Sequence, residues 1–164
     1  MSQFELKGMA VIRHLNIRKE GNDDEKQLAV DIKFEAETDA DILLHLNSTL
    51  KGFLFEPLED GYKVRIPPLR ELQWDSEILH CTLTMIDHQR TYHTSVKKIR
   101  FTPKVVDGEA RVIFGFSVSI DPESNELARL SEFLGEPIDV AVEAQPDLFA
   151  GHGSDDEYDM RRAA

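Results

Sequence analysis

Four side chains with metal-binding chemistry fall close together: His80, Cys81, His88 and His93. A structural zinc site needs four nitrogen or sulfur ligands converging on a tetrahedron. Here Cys81, Leu83 and Met85 alternate with His80, Thr82 and Thr84, the pattern of a strand with one apolar face. On such a strand His80 and Cys81 point to opposite sides, so a buried cysteine beside exposed histidines is expected, with no metal. Burial also argues against a nucleophilic thiol. Cys81 is the single cysteine, and apolar surroundings raise a thiol pKa. The chain contains no Gly-x-Ser-x-Gly elbow and no phosphate-binding glycine loop. No spacing of acids forces two carboxylates into one pocket. These residues predict a protein that is not an enzyme and holds no cofactor.

The remaining chemistry is electrostatic. The formal charge of the 164 residues is −12, and from Ala141 onward there are six acids and two arginines, which leaves −8 on the preceding body. A body of that sign lacks the general basic face that nucleic-acid phosphates require. One local exception runs from Arg90 to Arg111, where Arg90, Lys97, Lys98, Arg100, Lys104 and Arg111 face only two acids. With Tyr92 as a stacking ring, this stripe is the candidate for weak single-stranded DNA binding. Trp74, the only tryptophan, reads instead as a core or edge-covering residue.

The elements that carry these residues are mostly strands. Asp107-Gly108 suits a type I′ turn. Placed as the loop, it pairs Val105 with Ala110, Pro103 with Val112, Phe101 with Phe114 and Ile99 with Phe116, all on one face. Pro103 has no N–H to give, which predicts an edge or a bulge there. Asp60-Gly61 predicts a second hairpin with Phe55 opposite Ile66 and Glu56 opposite Arg65. Leu28, Val30, Ile32, Phe34 and Ala36 alternate with polar neighbours in a half-buried strand, and Ile138, Val140 and Val142 suggest a short final one. The run Phe4–Ile17 is strand-like, with ambiguous facing at Gly8.

Two helices interrupt the pattern. Thr38 or Asp39 can cap a helix along Ile42, Leu43, Leu46 and Leu50, with Gly52 as its stop. Asp121-Pro122-Glu123 opens a second, with Leu127, Leu130 and Leu134 as its buried stripe and Gly135 at its end. The expectation is an α+β domain over residues 1–144: about eight mainly antiparallel strands with two short helices on one sheet face. No run reaches the ~18 apolar residues of a membrane span. The N-terminus lacks signal-peptide character, so a cytoplasmic location is expected.

Residues 145–164 read as a disordered acidic tail, because Gly-His-Gly-Ser and Asp-Asp-Glu-Tyr-Asp offer little to bury. At its start stands Gln145-Pro146-Asp147-Leu148-Phe149. Gln145, Asp147, Leu148 and Phe149 resemble the short peptide by which bacterial polymerases, repair proteins and some phage proteins bind the replicative sliding clamp. Pro146 departs from the leucine often found second in that motif. The resemblance implies a docking role for these four residues in a bacterial host cell. Small size and the absence of a catalytic constellation are similar to accessory proteins of phage and prophage DNA-metabolism modules. The expected function is a replication or recombination accessory protein. Two rivals are a single-stranded-DNA-binding module with a recruiting tail and an acidic inhibitor that mimics nucleic acid. If the tail reading holds, backbone NMR order parameters through Gly151–Tyr158 will fall well below those of the strands; body-like values there would exclude it.

Overall fold

A computed structural model of the protein describes residues 3–21 and 27–145. Of the expected tail only Gln145 is described; Asp147, Leu148, Phe149 and the rest lie outside the described residues. The architecture is the expected one in class, mainly antiparallel sheet with short helices. Among the described residues there are nine strands: β1 (Glu5–Glu20), β2 (Gln27–Asp39), β3 (Phe55–Leu58), β4 (Gly61–Val64), β5 (Leu72–Trp74), β6 (Ile78–Met85), β7 (Tyr92–Val106), β8 (Glu109–Ile120) and β9 (Pro137–Ala144).

The hydrogen-bonded order is β7-β6-β9-β1-β2-β8, and β8 pairs back onto β7, so six strands close into a ring. Strands β6, β7 and β8 form a meander, and β9 returns beside β6, which is a Greek-key connection. Strand β5 adds to the edge of β7 beyond β6, at Ile99–Phe101. The ring turns its apolar faces inward. Leu6, Ile12, Ile32, Phe34, Leu83, Phe101, Phe114, Phe116 and Val140 are all buried. Phe34 stacks on Phe116 at 5.2 Å between ring centroids. A barrel of so few strands is filled by side chains and has no lumen.

The β7–β8 hairpin follows the predicted register at Val105–Ala110, Pro103–Val112 and Phe101–Phe114. Asp107 (φ 51°) and Gly108 (φ 82°) both take positive φ, as a type I′ turn requires. Beyond Phe101 no described strand pairs with the second edge of β7, which accommodates Pro103. The predicted Ile99–Phe116 pair is displaced. A bulge between Lys97 and Arg100, with Lys98 at φ 51°, shifts the ladder by one residue.

The second hairpin is two residues out from the prediction. Phe55 faces Val64 and Glu56 faces Lys63, so Glu59-Asp60 is the loop. Gly61 serves a different purpose. A Cβ there would lie 2.3 Å from the Gly108 carbonyl oxygen, and the Tyr62 N–H donates to that same oxygen at 2.8 Å. The two hairpin turns dock on each other through these glycines.

The first predicted helix is split. Asp39 caps as expected, its Oδ1 accepting from the Asp41 N–H at 2.8 Å, but only a 3-10 helix over Ala40–His45 follows. Asn47 Oδ1 then accepts from the Thr49 N–H at 2.8 Å, a local turn that competes with helix continuation. Helix α1 (Leu50–Leu54) starts afresh, with Gly52 inside it and not at its end. Helix α2 (Ser124–Glu132) begins later than predicted. Glu123 is its cap in a reciprocal box with Glu126, which displaces Asp121 from that role. Leu130 is buried, whereas Leu134 is half exposed. Because the sheet closes on itself, the helices do not cover one sheet face. The 3-10 helix follows the end of β2 and α2 links β8 to β9, so they sit at opposite ends of the barrel.

Gly108→Val should therefore destabilise the fold by about 1–2 kcal/mol, the cost of a β-branched residue at left-handed φ. Gly61→Ala should also lower the melting temperature, by separating the two turns. A thermal unfolding series checks both, and unchanged midpoints would reject the turn assignment.

Candidate functional site

Sequence reasoning singled out two regions, the basic stripe and the docking motif. The stripe lies on β7, β8 and the turn before β7, but it is not one free positive surface. Tyr92 is buried, and its hydroxyl donates to Glu126 of α2. Burial first, and then this bond to a carboxylate, push its phenol well above the ordinary value. The Arg90 guanidinium lies 4.6 Å over the Tyr92 ring and pairs with Glu126 as well. Tyr92 is thus buried, with Arg90 over its ring, and does not offer that ring to a base.

At the other end of the stripe, Lys104 and Arg111 share Glu37 of β2. Near the β1–β2 end, Asp31 takes a two-pronged bond from Arg18, Nε at 2.8 Å and Nη2 at 3.0 Å. It also accepts from the Ser119 hydroxyl, which receives the Lys97 ammonium at 2.8 Å. The Arg18 bonds hold the Asp31 carboxyl well below the usual carboxylate range, against the cost of partial burial and with help from Ser119 and Asn16. Of the predicted stripe residues, Lys98 and Arg100 remain in the middle of the wall. Arg100 has one distant carboxylate, Glu71 at 3.7 Å, and Lys98 pairs with none among the described residues.

The docking motif begins where β9 ends. Gln145 is exposed, and it is tied to β6: its N–H donates to the His80 carbonyl at 2.8 Å and its side-chain amide to Thr82 Oγ1 at 3.2 Å. The other motif residues fall outside the described residues.

The thiol and the histidines lie as the strand pattern implied. Cys81 is fully buried in the barrel, where desolvation raises its pKa, and His80 is exposed at φ 58°. One arrangement escaped the sequence reading. Thr84 Oγ1 lies 2.6 Å from His88 Nδ1, and His88 Nε2 lies 2.8 Å from Asp139 Oδ2. Hydroxyl, imidazole and carboxylate in series can pass a proton. They stand on the convex outer wall, and the cavity of about 390 Å³ beside them is lined instead by Met85, Tyr92, Glu126 and Leu130 among others. The i, i+4 spacing of Thr84 and His88 is a sequence cue. The partner Asp139 arrives only through strand pairing, since the Ile86 N–H donates to its carbonyl at 2.8 Å.

No protein-family model matches this chain, and no curated protein or solved structure matches it.

Because the carboxyl of Asp31 is depressed, its stabilising effect is fully present above the unfolded carboxylate pKa of about 4 and is lost as pH falls through the lower folded value. Asp31→Asn should lower the melting temperature at pH 7, and the gap to wild type should close toward about pH 2. A gap that is constant with pH would show that Asp31 acts through shape alone.

Proposed function

We propose that this chain is a non-enzymatic accessory protein of DNA replication or recombination that docks on a bacterial sliding clamp through Gln145, Asp147, Leu148 and Phe149. The observation that supports this reading is the position of the motif: it starts at the residue where the last barrel strand leaves the fold, with Gln145 exposed at the rim. Leu148 follows three residues later, within about 10 Å of that rim by the reach of an extended chain. A partner that grips Leu148 and Phe149 therefore also holds the barrel close to its surface.

The energetics fit a peptide with two anchors. Leu148 and Phe149 each gain about 1.5–3 kcal/mol on full burial in an apolar pocket. Gln145 exchanges an exposed bond to Thr82 for one to the partner, a near-neutral trade. Five residues alone bury little area and lose entropy on ordering, so the isolated peptide binds weakly. A clamp presents several identical sites, and a body that also touches the encircled strand raises effective affinity.

Leu148→Ala combined with Phe149→Ala should abolish binding to purified bacterial clamp and leave the unfolding curve unchanged. Pro146→Leu should tighten binding by restoring the commoner residue. Calorimetric titration of the three proteins, with thermal melts of each, decides the matter. Equal binding by all three, or by none, rejects clamp docking, and unfolding of the double variant assigns both anchors to the core.

A further inference from the structure

The middle of the outer wall combines charge, a cavity and an unsatisfied donor. Strand pairing sets Glu35, Gly115, Arg100 and Gln73 side by side across β2, β8, β7 and β5. Gly115 has no side chain in this row, and the Arg100 side chain fills the gap. A Cβ at Gly115 would meet Arg100 Nε at 2.8 Å and Cζ at 3.0 Å. Glycine inside a strand marks such a close approach. The guanidinium lies against the barrel wall, its side chain only 13% exposed.

In that position Arg100 is only partly satisfied. Nη1 donates to the Lys98 carbonyl at 3.2 Å, and Glu71 stands 3.7 Å from Nε, beyond hydrogen-bond range. Nη2 is buried and has no acceptor. A buried charged donor without an acceptor is costly, and such groups in native proteins call for an explanation. The carboxylate nearest in the row is already engaged, since Glu35 pairs with Arg13 at 3.2 Å.

Around Arg100 opens a cavity of about 730 Å³, lined also by Lys33, Lys98, Trp74, Glu71 and Asp75. Its volume falls in the range of roughly 300–1,000 Å³ typical of small-ligand sites. Lys33 and Lys98 are exposed and make no ion pair among the described residues. The bulge that gives Lys98 φ 51° also turns its side chain to this wall. Trp74 is half-buried on the three-residue edge strand β5. Three cations against two carboxylates leave an excess of one positive charge.

We propose that this cavity binds a nucleotide, its phosphate on Arg100, Lys33 and Lys98 and its base against Trp74. Arginine offers planar paired donors that match phosphate oxygens, and indole stacks on any base. The net excess of one charge suits a single phosphate. On a body carrying −8 overall it does not suit a long polyanionic track. The phosphate can come from a free nucleotide or from one unit of a single strand. The site is independent of clamp docking.

Trp74 is the only tryptophan, so its fluorescence reports the site directly. The full-length protein should show saturable quenching with thymidine 5′-monophosphate or with a 5′-phosphorylated oligothymidylate about eight nucleotides long. Unphosphorylated thymidine should be at least about tenfold weaker. Saturation by the monophosphate assigns the cavity to free nucleotides, and saturation by the oligomer alone assigns it to a strand. Lys33→Glu with Lys98→Glu should weaken binding at least about tenfold without changing the melting temperature, since both side chains are exposed. Gly115→Ala, which displaces the guanidinium, should weaken it as well. No saturable quenching by either ligand, an equal response to thymidine, or undiminished binding by the double lysine variant would overturn the proposal.

Discussion

Insertion of β9 between β6 and β1 is the constraint on which the rest of the fold depends. The last strand joins the two halves of the chain: Val142 lies opposite Leu6 on one side and Leu83 on the other. Without it, both β1 and β6 would present open edges and the ring would not close. Closure makes every inward residue a core residue and every outward residue part of one continuous wall. It also fixes where the chain leaves the body, because β9 ends beside His80 at the start of β6.

Local features of this architecture were legible in the sequence, and closure was not. The β7–β8 register followed from Asp107-Gly108 because a two-residue turn leaves no freedom in pairing. It held until Lys98, where a bulge intervened that periodicity does not signal. The Asp60-Gly61 hairpin was misplaced by two residues because glycine's freedom was needed for contact between turns. Ile42, Leu43, Leu46 and Leu50 keep helical spacing, yet Asn47 breaks the helix through its own side chain. Pairing of β9 with β1 brings together residues from the two ends of the chain, and no short-range pattern encodes that.

The same division applies to the basic stripe. Six cations within about two strands could be counted from the sequence, but their partners could not. Glu37 and Asp31 come from β2 and Glu126 from α2, elements placed only by the closed sheet. Glu37 neutralises Lys104 and Arg111 and Glu126 neutralises Arg90, while Lys97 reaches Asp31 only through the Ser119 hydroxyl. What remains is the centre, where Arg100 has settled into the space left by Gly115. Trp74, read from the sequence as core or edge cover, indeed lies half-buried on the edge strand, where it also borders the central cavity. At this centre Lys33 and Lys98 have no ion pair among the described residues, and Arg100 has only the distant Glu71.

Strand register relates that place to the point where the C-terminal segment departs. Gln145 bonds to His80, Ile78 lies two residues back along β6, and Val96 of β7 stands opposite Ile78. Lys98 is two residues further along β7 and begins the basic centre of the wall. The route from the docking motif to the proposed nucleotide cavity therefore crosses two neighbouring strands and a few residues, all within the rigid sheet. On the proposed reading, gripping Leu148 and Phe149 confines the barrel within a short tether of the clamp, while the cavity is centred on β7, β8 and β2, with β8 three strands from β9 around the ring. A weak single-phosphate site gains little occupancy in free solution. Held at high effective concentration beside a strand, the same site is filled for much of the time. On the same proposed reading, the overall charge of −12 suppresses unspecific association with nucleic acid.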